Sequence, residues 1–75
     1  MTSLAEMRKG EKGVIRSIDA DSELRNRLHS FGIIPGETLE VKECSLAKKT
    51  MNIEVEGTQI ALRNEEAEKI SVKKI

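Results

Sequence analysis

Residues 24–41, LRNRLHSFGIIPGETLEV, contain the change from helix to strand that decides the fold. Leu24, Leu28 and Phe31 recur at i, i+4 and i+7, which is the spacing of one apolar face of a helix. A Pro-Gly pair then forms a turn that cannot continue the helix, and beyond it apolar and polar residues alternate as in a half-buried strand. The stretch therefore predicts a helix, a sharp stop and a strand.

Both ends of this helix carry capping signals. Asp19 or Asp21 can accept hydrogen bonds from the free N–H groups of the first turn. Gly32 stands where a left-handed residue ends a helix, because glycine adopts a positive φ without steric cost. We therefore expect a helix of about three turns between these signals.

Alternation of apolar and polar residues covers most of the remaining chain. The helix is accompanied by about five short strands, and a small closed or partly open barrel would protect their edges. We therefore predict a mostly β fold with short helices. In the first strand Val14, Arg16 and Ile18 should share one face. The predicted strands are residues 13–18, 39–42, 51–56, 59–62 and 70–72, with a hairpin turn at Gly57-Thr58.

The N-terminal segment predicts a further helix. Residues 1–9 can form a short amphipathic helix with Thr2 or Ser3 as its N-cap. Leu4 and Met7 then fall on one face, at i and i+3.

Length and composition limit the classes of function. The 75 residues are enough for one domain, residues 1–75, with a thin core. Lys plus Arg number 13, as do Asp plus Glu, so no net field attracts nucleic acid or acidic lipid. The longest uncharged stretch, Leu28–Gly36, is far shorter than the roughly 20 residues of a membrane-spanning helix. Early charged residues and a single cysteine also argue against secretion, so we expect a cytoplasmic protein.

Residues that could support catalysis are too few to form an active site. Gly10 and Gly13 lack the spacing and the hydroxyl of a phosphate-binding loop. His29 and Cys44 are the only residues of their types, and neither a soft-metal site nor a nucleophile–base pair can be completed from them. Phe31 is the only aromatic residue, which excludes an aromatic-lined groove for polyproline or single-stranded nucleic acid. We expect neither enzyme activity nor a cofactor.

Paired carboxylates leave one alternative open. Glu65 and Glu66 are explained by the positive end of a short helix that Asn64 caps. Glu54 and Glu56 alternate outward on one predicted strand and could converge on a hard cation such as ferrous iron. A free-standing divalent-metal-binding module is therefore the alternative to a module that binds another protein.

Two ordered motifs extend over most of the chain. The first is L-x-x-F-G-I-x-P-G-x-x-L-x-V over residues 28–41, and the second is V-x-G-x-x-I-A-L-R-x-x-E-A-x-x-I-x-V over residues 55–72. Together with the opening Leu-Ala-Glu-Met and Gly10, they resemble the ferrous iron transport protein A (FeoA) family. The segment 44–50 departs from the family, which often has Pro and Gly there.

The resemblance implies an SH3-like β-barrel with helical decoration and a role in the cytoplasm. The implied partner is FeoB, a membrane ferrous-iron transporter with an N-terminal GTPase domain. The chain would bind the cytoplasmic region of FeoB and would regulate or assemble this transporter. The same fold forms the C-terminal domain of iron-dependent regulators, but a repressor role is not expected without a helix-turn-helix domain. A homo-oligomer that scaffolds the transporter is a third interpretation.

A partner surface would use apolar side chains that a small barrel leaves unburied, rimmed by charge. Arg25, Arg27 or Arg63 could also act as an arginine finger on a bound nucleotide. For Arg63, the expected role is an ion pair with Glu65 or Glu66. The predicted partner-binding residues are Leu4, Met7, Arg25, Arg27, Ile33, Ile34, Leu46, Lys48 and Lys49.

Overall fold

The computed structural model describes residues 2–45 and 49–75. In this part of the chain, six strands form one sheet in the order β1-β6-β2-β3-β4-β5, and all neighbouring strands are antiparallel. The strands are β1 (Thr2–Ser3), β2 (Lys12–Ile18), β3 (Thr38–Cys44), β4 (Thr50–Val55), β5 (Thr58–Arg63) and β6 (Ile70–Lys74). The helical segments are a 3₁₀ turn (Leu4–Glu6), α1 (Ser22–Ser30) and α2 (Asn64–Ala67). The predicted mostly β architecture is confirmed. In the same described residues, no helix is long and apolar enough to cross a membrane.

A bulge in β2 decides which side chains of that strand reach the core. Ile15 and Ser17 pair with consecutive residues of β6, so Arg16 between them has no partner in the ladder. Ile15 and Ile18 are consequently both buried. The predicted common face of Val14, Arg16 and Ile18 is wrong, because the inserted residue reverses the alternation.

Helix α1 begins and ends where its capping signals predict. The carboxylate of Asp21 accepts a hydrogen bond from a first-turn N–H at 2.9 Å, and Gly32 has a φ of 91°. The N–H of Gly32 donates to the C=O of His29, and the N–H of Ile33 donates to the C=O of Leu28. These two bonds form a Schellman motif, which places Ile33 and Leu28 together in the core.

Phe31 is not part of the buried face of α1, contrary to the prediction. Leu28 is fully buried and Leu24 is partly buried, but Phe31 is the C-cap residue and is 42% exposed. The chain reverses direction immediately after Phe31, and Ile33 occupies the core at this end of the helix. Phe31 therefore stays on the surface.

The N-terminal segment is more compact than the predicted helix over residues 1–9. Its first residues pair with β6 as strand β1, and the following 3₁₀ turn is capped by Ser3, whose Oγ accepts a hydrogen bond from the N–H of Ala5 at 3.2 Å. Leu4 and Met7 are both buried. The shared face of these two residues was predicted correctly, although the predicted helix is only one short turn.

Strands β4 and β5 are joined by the two-residue turn Glu56-Gly57. The φ angles of these residues are 51° and 81°, the pattern of a type I′ hairpin turn. The predicted strand over residues 51–56 therefore ends one residue early, and Glu56 lies in the turn. A left-handed conformation is unfavourable for glutamate, so the turn stores strain at this position.

Replacing Glu56 with Asn is expected to raise the free energy of unfolding by about 1 kcal/mol, because asparagine tolerates the left-handed conformation better than glutamate. For a domain of this size such a gain raises Tm by about 4–8 °C. Thermal unfolding followed by circular dichroism measures the change. Glu56→Gln is the matched control, since it removes the same charge without favouring a positive φ. An equal gain in Glu56→Gln would contradict the backbone explanation.

Helix α2 begins one residue earlier than predicted. Its N-cap is Arg63 rather than Asn64, because the carboxylate of Glu66 accepts a hydrogen bond from the N–H of Arg63 at 3.0 Å. The amide of Asn64 instead donates to the carboxylate of Glu68 at 3.1 Å. The short helix thus follows directly from β5, with no residue between them.

Candidate functional site

A groove of about 620 Å³ lies between the C-terminal end of α1 and strand β5. Arg27, Ser30 and Phe31 line the side formed by α1. Residues 58–61 form the other side, with Glu56 at the hairpin end. This groove combines an exposed aromatic ring with the edge strand β5, and we refer to it as the α1–β5 groove.

Three of the predicted partner-binding residues belong to the core. Leu4, Met7 and Ile33 are at most 3% exposed. The premise that a small barrel could not bury them is wrong for two reasons. The 3₁₀ turn packs on β6 and α2 and thereby encloses Leu4 and Met7. The Schellman motif encloses Ile33.

Ile34 is exposed as predicted, at 43%, while exposed Phe31 was missed by the sequence prediction. The motif around Gly32 was the sequence signal that could have predicted the exposure of Phe31. A Schellman motif usually joins an apolar residue just after the glycine to one in the last helical turn. That rule pairs Ile33 with Leu28 and leaves Phe31 and Ile34 outside.

Three of the predicted partner-binding residues lie in the segment between β3 and β4. Leu46 and Lys48 lie outside the described residues. Lys49 is exposed, and its backbone N–H donates to the Oγ of Ser45 at 2.9 Å. Lys49 does not line the α1–β5 groove.

Arg27 connects α1 to α2. Its guanidinium lies 3.0 Å from Oε2 of Glu66 and 6.0 Å from the ring centroid of Phe31. Glu66 is buried, and its other carboxylate oxygen accepts the N–H of Arg63. Arg27 therefore has a structural role that positions both its helix and the Phe31 ring, which weighs against its use as a free arginine finger.

The other two arginines are more exposed. Arg25 lies on the exposed side of α1. Arg63 pairs with Glu65 at 3.9 Å, and both side chains are largely in solvent. The predicted ion pair is thus confirmed, and its exposure limits its contribution to about 0–1 kcal/mol.

Replacing Glu66 with Ala is expected to lower the free energy of unfolding by about 1–3 kcal/mol, because the change removes the partner of a capping N–H and of Arg27. Arg27→Ala removes one of these two contacts and should cost about 1 kcal/mol or less, since the arginine is half-exposed. Urea denaturation measures both values. Glu65→Ala is the matched control and should change stability by less than about 0.5 kcal/mol. Equal losses in the Glu65 and Glu66 variants would contradict the linking role of Glu66.

The carboxylates of Glu54 and Glu56 do not converge on a common point. Glu54 lies 3.4 Å from Nζ of Lys42, which also lies 3.4 Å from Glu40. The hydrogen bond to Glu40, supported by both negative charges, raises the pKa of Lys42. Glu56 lies in the hairpin turn and approaches Glu37 instead. The prediction that Glu54 and Glu56 share one face of a strand is therefore wrong.

Glu37 and Glu56 form a pair of like charges near one end of the α1–β5 groove. The hydrogen bond with Glu56, together with its negative charge, raises the pKa of Glu37. Within residues 2–45 and 49–75, no cation pairs with either carboxylate. In the same ranges, no group of three or more His, Cys, Asp or Glu residues is arranged to hold a metal ion.

Cys44 and His29 lie on different elements. Cys44 is the last residue of β3 and is half-buried, with its Sγ 4.0 Å from the carbonyl oxygen of Met7. His29 is exposed on α1.

Comparison with known proteins identifies the family to which this fold and sequence belong. The sequence matches the FeoA domain over residues 2–74. The chain belongs to the FeoA family. It is 37% identical over 70 residues to the Fe(2+) transport protein A of Campylobacter jejuni, and the match covers 93% of this chain and 95% of that protein. A crystal structure described as the iron uptake regulatory protein FeoA is similar with a TM-score of 0.91 at 31% identity, over 99% of this chain and 97% of that one. A FeoA of Stenotrophomonas maltophilia that is described as an SH3 domain protein has a similar fold, with a TM-score of 0.84 at 23% identity over 97% of this chain and 91% of that one. The predicted SH3-like fold and membership of a ferrous-iron transport family are therefore confirmed.

One relative joins a FeoA sequence to a transporter in a single polypeptide. A protein of Porphyromonas gingivalis is described as a fusion of Fe(2+) transport protein A and the Fe(2+) transporter FeoB. It is 28% identical to this chain over 72 residues. These residues are 96% of this chain but only 8% of the fusion protein.

Proposed function

We propose that this chain is a cytoplasmic accessory protein that binds the cytoplasmic, GTPase-containing region of a FeoB transporter and supports ferrous-iron uptake. The observation that carries the proposal is the Porphyromonas gingivalis fusion, in which FeoA and FeoB sequences occupy one polypeptide. Fusion keeps two proteins at a high effective concentration, which is useful when they act together. A FeoA sequence that is not fused to FeoB would have to find its partner by binding.

The exposed apolar residues support a binding role. Phe31 and Ile34 lie close in sequence at the end of α1 and are each more than two-fifths exposed. Aromatic residues that stay exposed on a small domain are often central to protein interfaces. Because Arg27 lies near the Phe31 ring, this surface also has the aromatic and arginine character that interfaces favour.

The described residues favour binding over catalysis or metal storage. Arg27 is held by Glu66, Arg63 pairs with Glu65, and Arg25 is exposed on α1, so we propose assembly rather than a direct contribution to GTP hydrolysis. Glu54 pairs with Lys42 and Glu56 lies in the hairpin turn, which favours a protein-binding module over the metal-binding alternative.

Calorimetry with the purified chain and the soluble cytoplasmic region of FeoB from the same organism tests the proposal. We expect saturable binding, and we expect GTP hydrolysis by FeoB to be the same in the Arg25→Ala and Arg63→Ala variants as in the original chain. A strain that lacks this chain should take up less ferrous iron under anaerobic, iron-poor growth. Absence of binding would refute the proposal, and so would unchanged uptake.

Ferrous iron alone serves as the second titrant under anaerobic conditions. We expect no tight binding. A tight, stoichiometric complex that Glu54→Gln or Glu56→Gln abolishes would instead establish the metal-binding module.

A further inference from the structure

Strand β5 is an edge of the sheet, and the type I′ turn determines which of its backbone groups are free. In a two-residue hairpin the residues that flank the turn, Val55 and Thr58, exchange backbone hydrogen bonds. Bonded and non-bonded pairs then alternate along the hairpin, so the backbone groups of Gln59 and Ala61 point away from β4. The outward N–H of Arg63, next in this series, donates to the Glu66 carboxylate, as this alternation requires.

The free backbone groups face the α1–β5 groove. Within the described part of the chain, neither Gln59 nor Ala61 has a hydrogen-bond partner on its outward side, and both residues line the groove. Phe31 lines the same groove from the side of α1. An extended segment that entered here would find backbone partners on one side and an aromatic ring on the other.

The groove carries negative charge at its hairpin end and a paired arginine at its α1 side. The hairpin end carries Glu56, beside Glu37, and the described residues supply no cation to either of them. At the α1 side, Arg27 is already paired with Glu66. The unmet charge is therefore negative, and a cationic side chain of a bound segment would complement it.

We propose that the α1–β5 groove binds an extended segment of the transporter's cytoplasmic region that contains Lys or Arg and pairs with the backbone of Gln59 and Ala61. This inference rests on the proposed function, because it takes FeoB as the source of the segment. An apolar side chain of the segment packs on Phe31, and its cation lies against Glu56. Strand addition of this kind obtains affinity from backbone hydrogen bonds and specificity from the side chains beside them.

Amide hydrogen exchange measured by NMR, on the full chain with and without the cytoplasmic region of FeoB, tests strand addition directly. We expect the N–H groups of Gln59 and Ala61 to exchange rapidly in the free chain and to gain at least tenfold protection in the complex. The N–H groups of Ile60 and Leu62, which already bond to β4, should gain much less. This alternating protection is specific to a newly paired strand. A helix or a loop that merely covered the groove would not produce it.

Calorimetry of variants tests the side-chain contacts. Phe31→Ala and Glu56→Lys should each weaken the complex at least tenfold, while Glu56→Gln should have a smaller effect. Ile75→Ala is the matched control, because Ile75 is an apolar residue, 73% exposed, that does not line the groove. Circular dichroism checks that each variant is folded.

The possible outcomes separate this inference from the proposed function. Alternating protection, together with losses of affinity confined to the groove variants, supports the inference. If the original chain binds FeoB but Gln59 and Ala61 exchange as in the free chain, or the groove variants bind normally, the inference is overturned and the proposed function stands. If the original chain does not bind FeoB, both are overturned.

Discussion

Leu28→Ala is expected to lower the free energy of unfolding by about 2–5 kcal/mol, which is the range for truncation of a fully buried leucine. Among the residues that the structure describes, Leu28 is the only one in α1 that is buried. Its side chain belongs to the core, and its C=O accepts the N–H of Ile33 in the Schellman motif. Truncation of this side chain would therefore leave a cavity where α1 is attached to the sheet.

Urea denaturation followed by circular dichroism measures the effect of Leu28→Ala. Leu24→Ala is the matched control on the same helix, and it should cost clearly less because Leu24 is only partly buried. A loss of similar size in the two variants would contradict the view that Leu28 is the main apolar anchor of α1. Any variant that loosens α1 should also disorder the α1–β5 groove, since this helix supplies Phe31.

Gly13→Ala is expected to cost about 1–3 kcal/mol through overpacking of the sheet. A Cβ at position 13 would lie 2.2 Å from Cγ1 of Val72 and 3.0 Å from the carbonyl oxygen of Lys73. Val72 is fully buried and β-branched, so its side chain cannot easily rotate away. The backbone of β6 would have to move instead.

A double-mutant cycle tests the origin of this loss. Val72→Ala removes the atom that the new Cβ meets, so Gly13→Ala should cost less in that background than in the original chain. Urea denaturation of the two single variants and of the double variant provides the coupling energy. Additive losses would show that the close approach to Val72 is not the cause.

The helix stop and the element order were accessible from the sequence because they depend on local chemistry. Asp21 and Gly32 act within one turn of the residues they cap, and alternation along β3, β4 and β5 follows from the pleat of each strand. Phe31 shows the limit of such reasoning. Its spacing from Leu28 fits a helical face, but the helix ends one residue earlier and the Schellman motif buries Ile33 instead.

Candidate site residues were harder to predict, because exposure depends on contacts between distant segments. Leu4 and Met7 are spaced like an exposed helix face, yet pairing of β1 with β6 draws their turn into the core. Glu56 was expected to join Glu54, but its position in the hairpin turn brings it beside Glu37. The burial of Leu4 and Met7 has no signal in the residues immediately around them, whereas Gly57 is a local signal for the turn that contains Glu56.

The α1–β5 groove combines both kinds of information. By itself the sequence determined five of the six strands, the end of α1 at Gly32 and the resemblance to the FeoA family, because caps, turns and alternation act over a few residues. Only the tertiary structure decided that β5 is an edge strand, that its free backbone faces Phe31 and that Glu56 lies at the end of the same groove. These features arise from the order of the strands and the packing of α1 on the sheet, which join residues far apart in the chain.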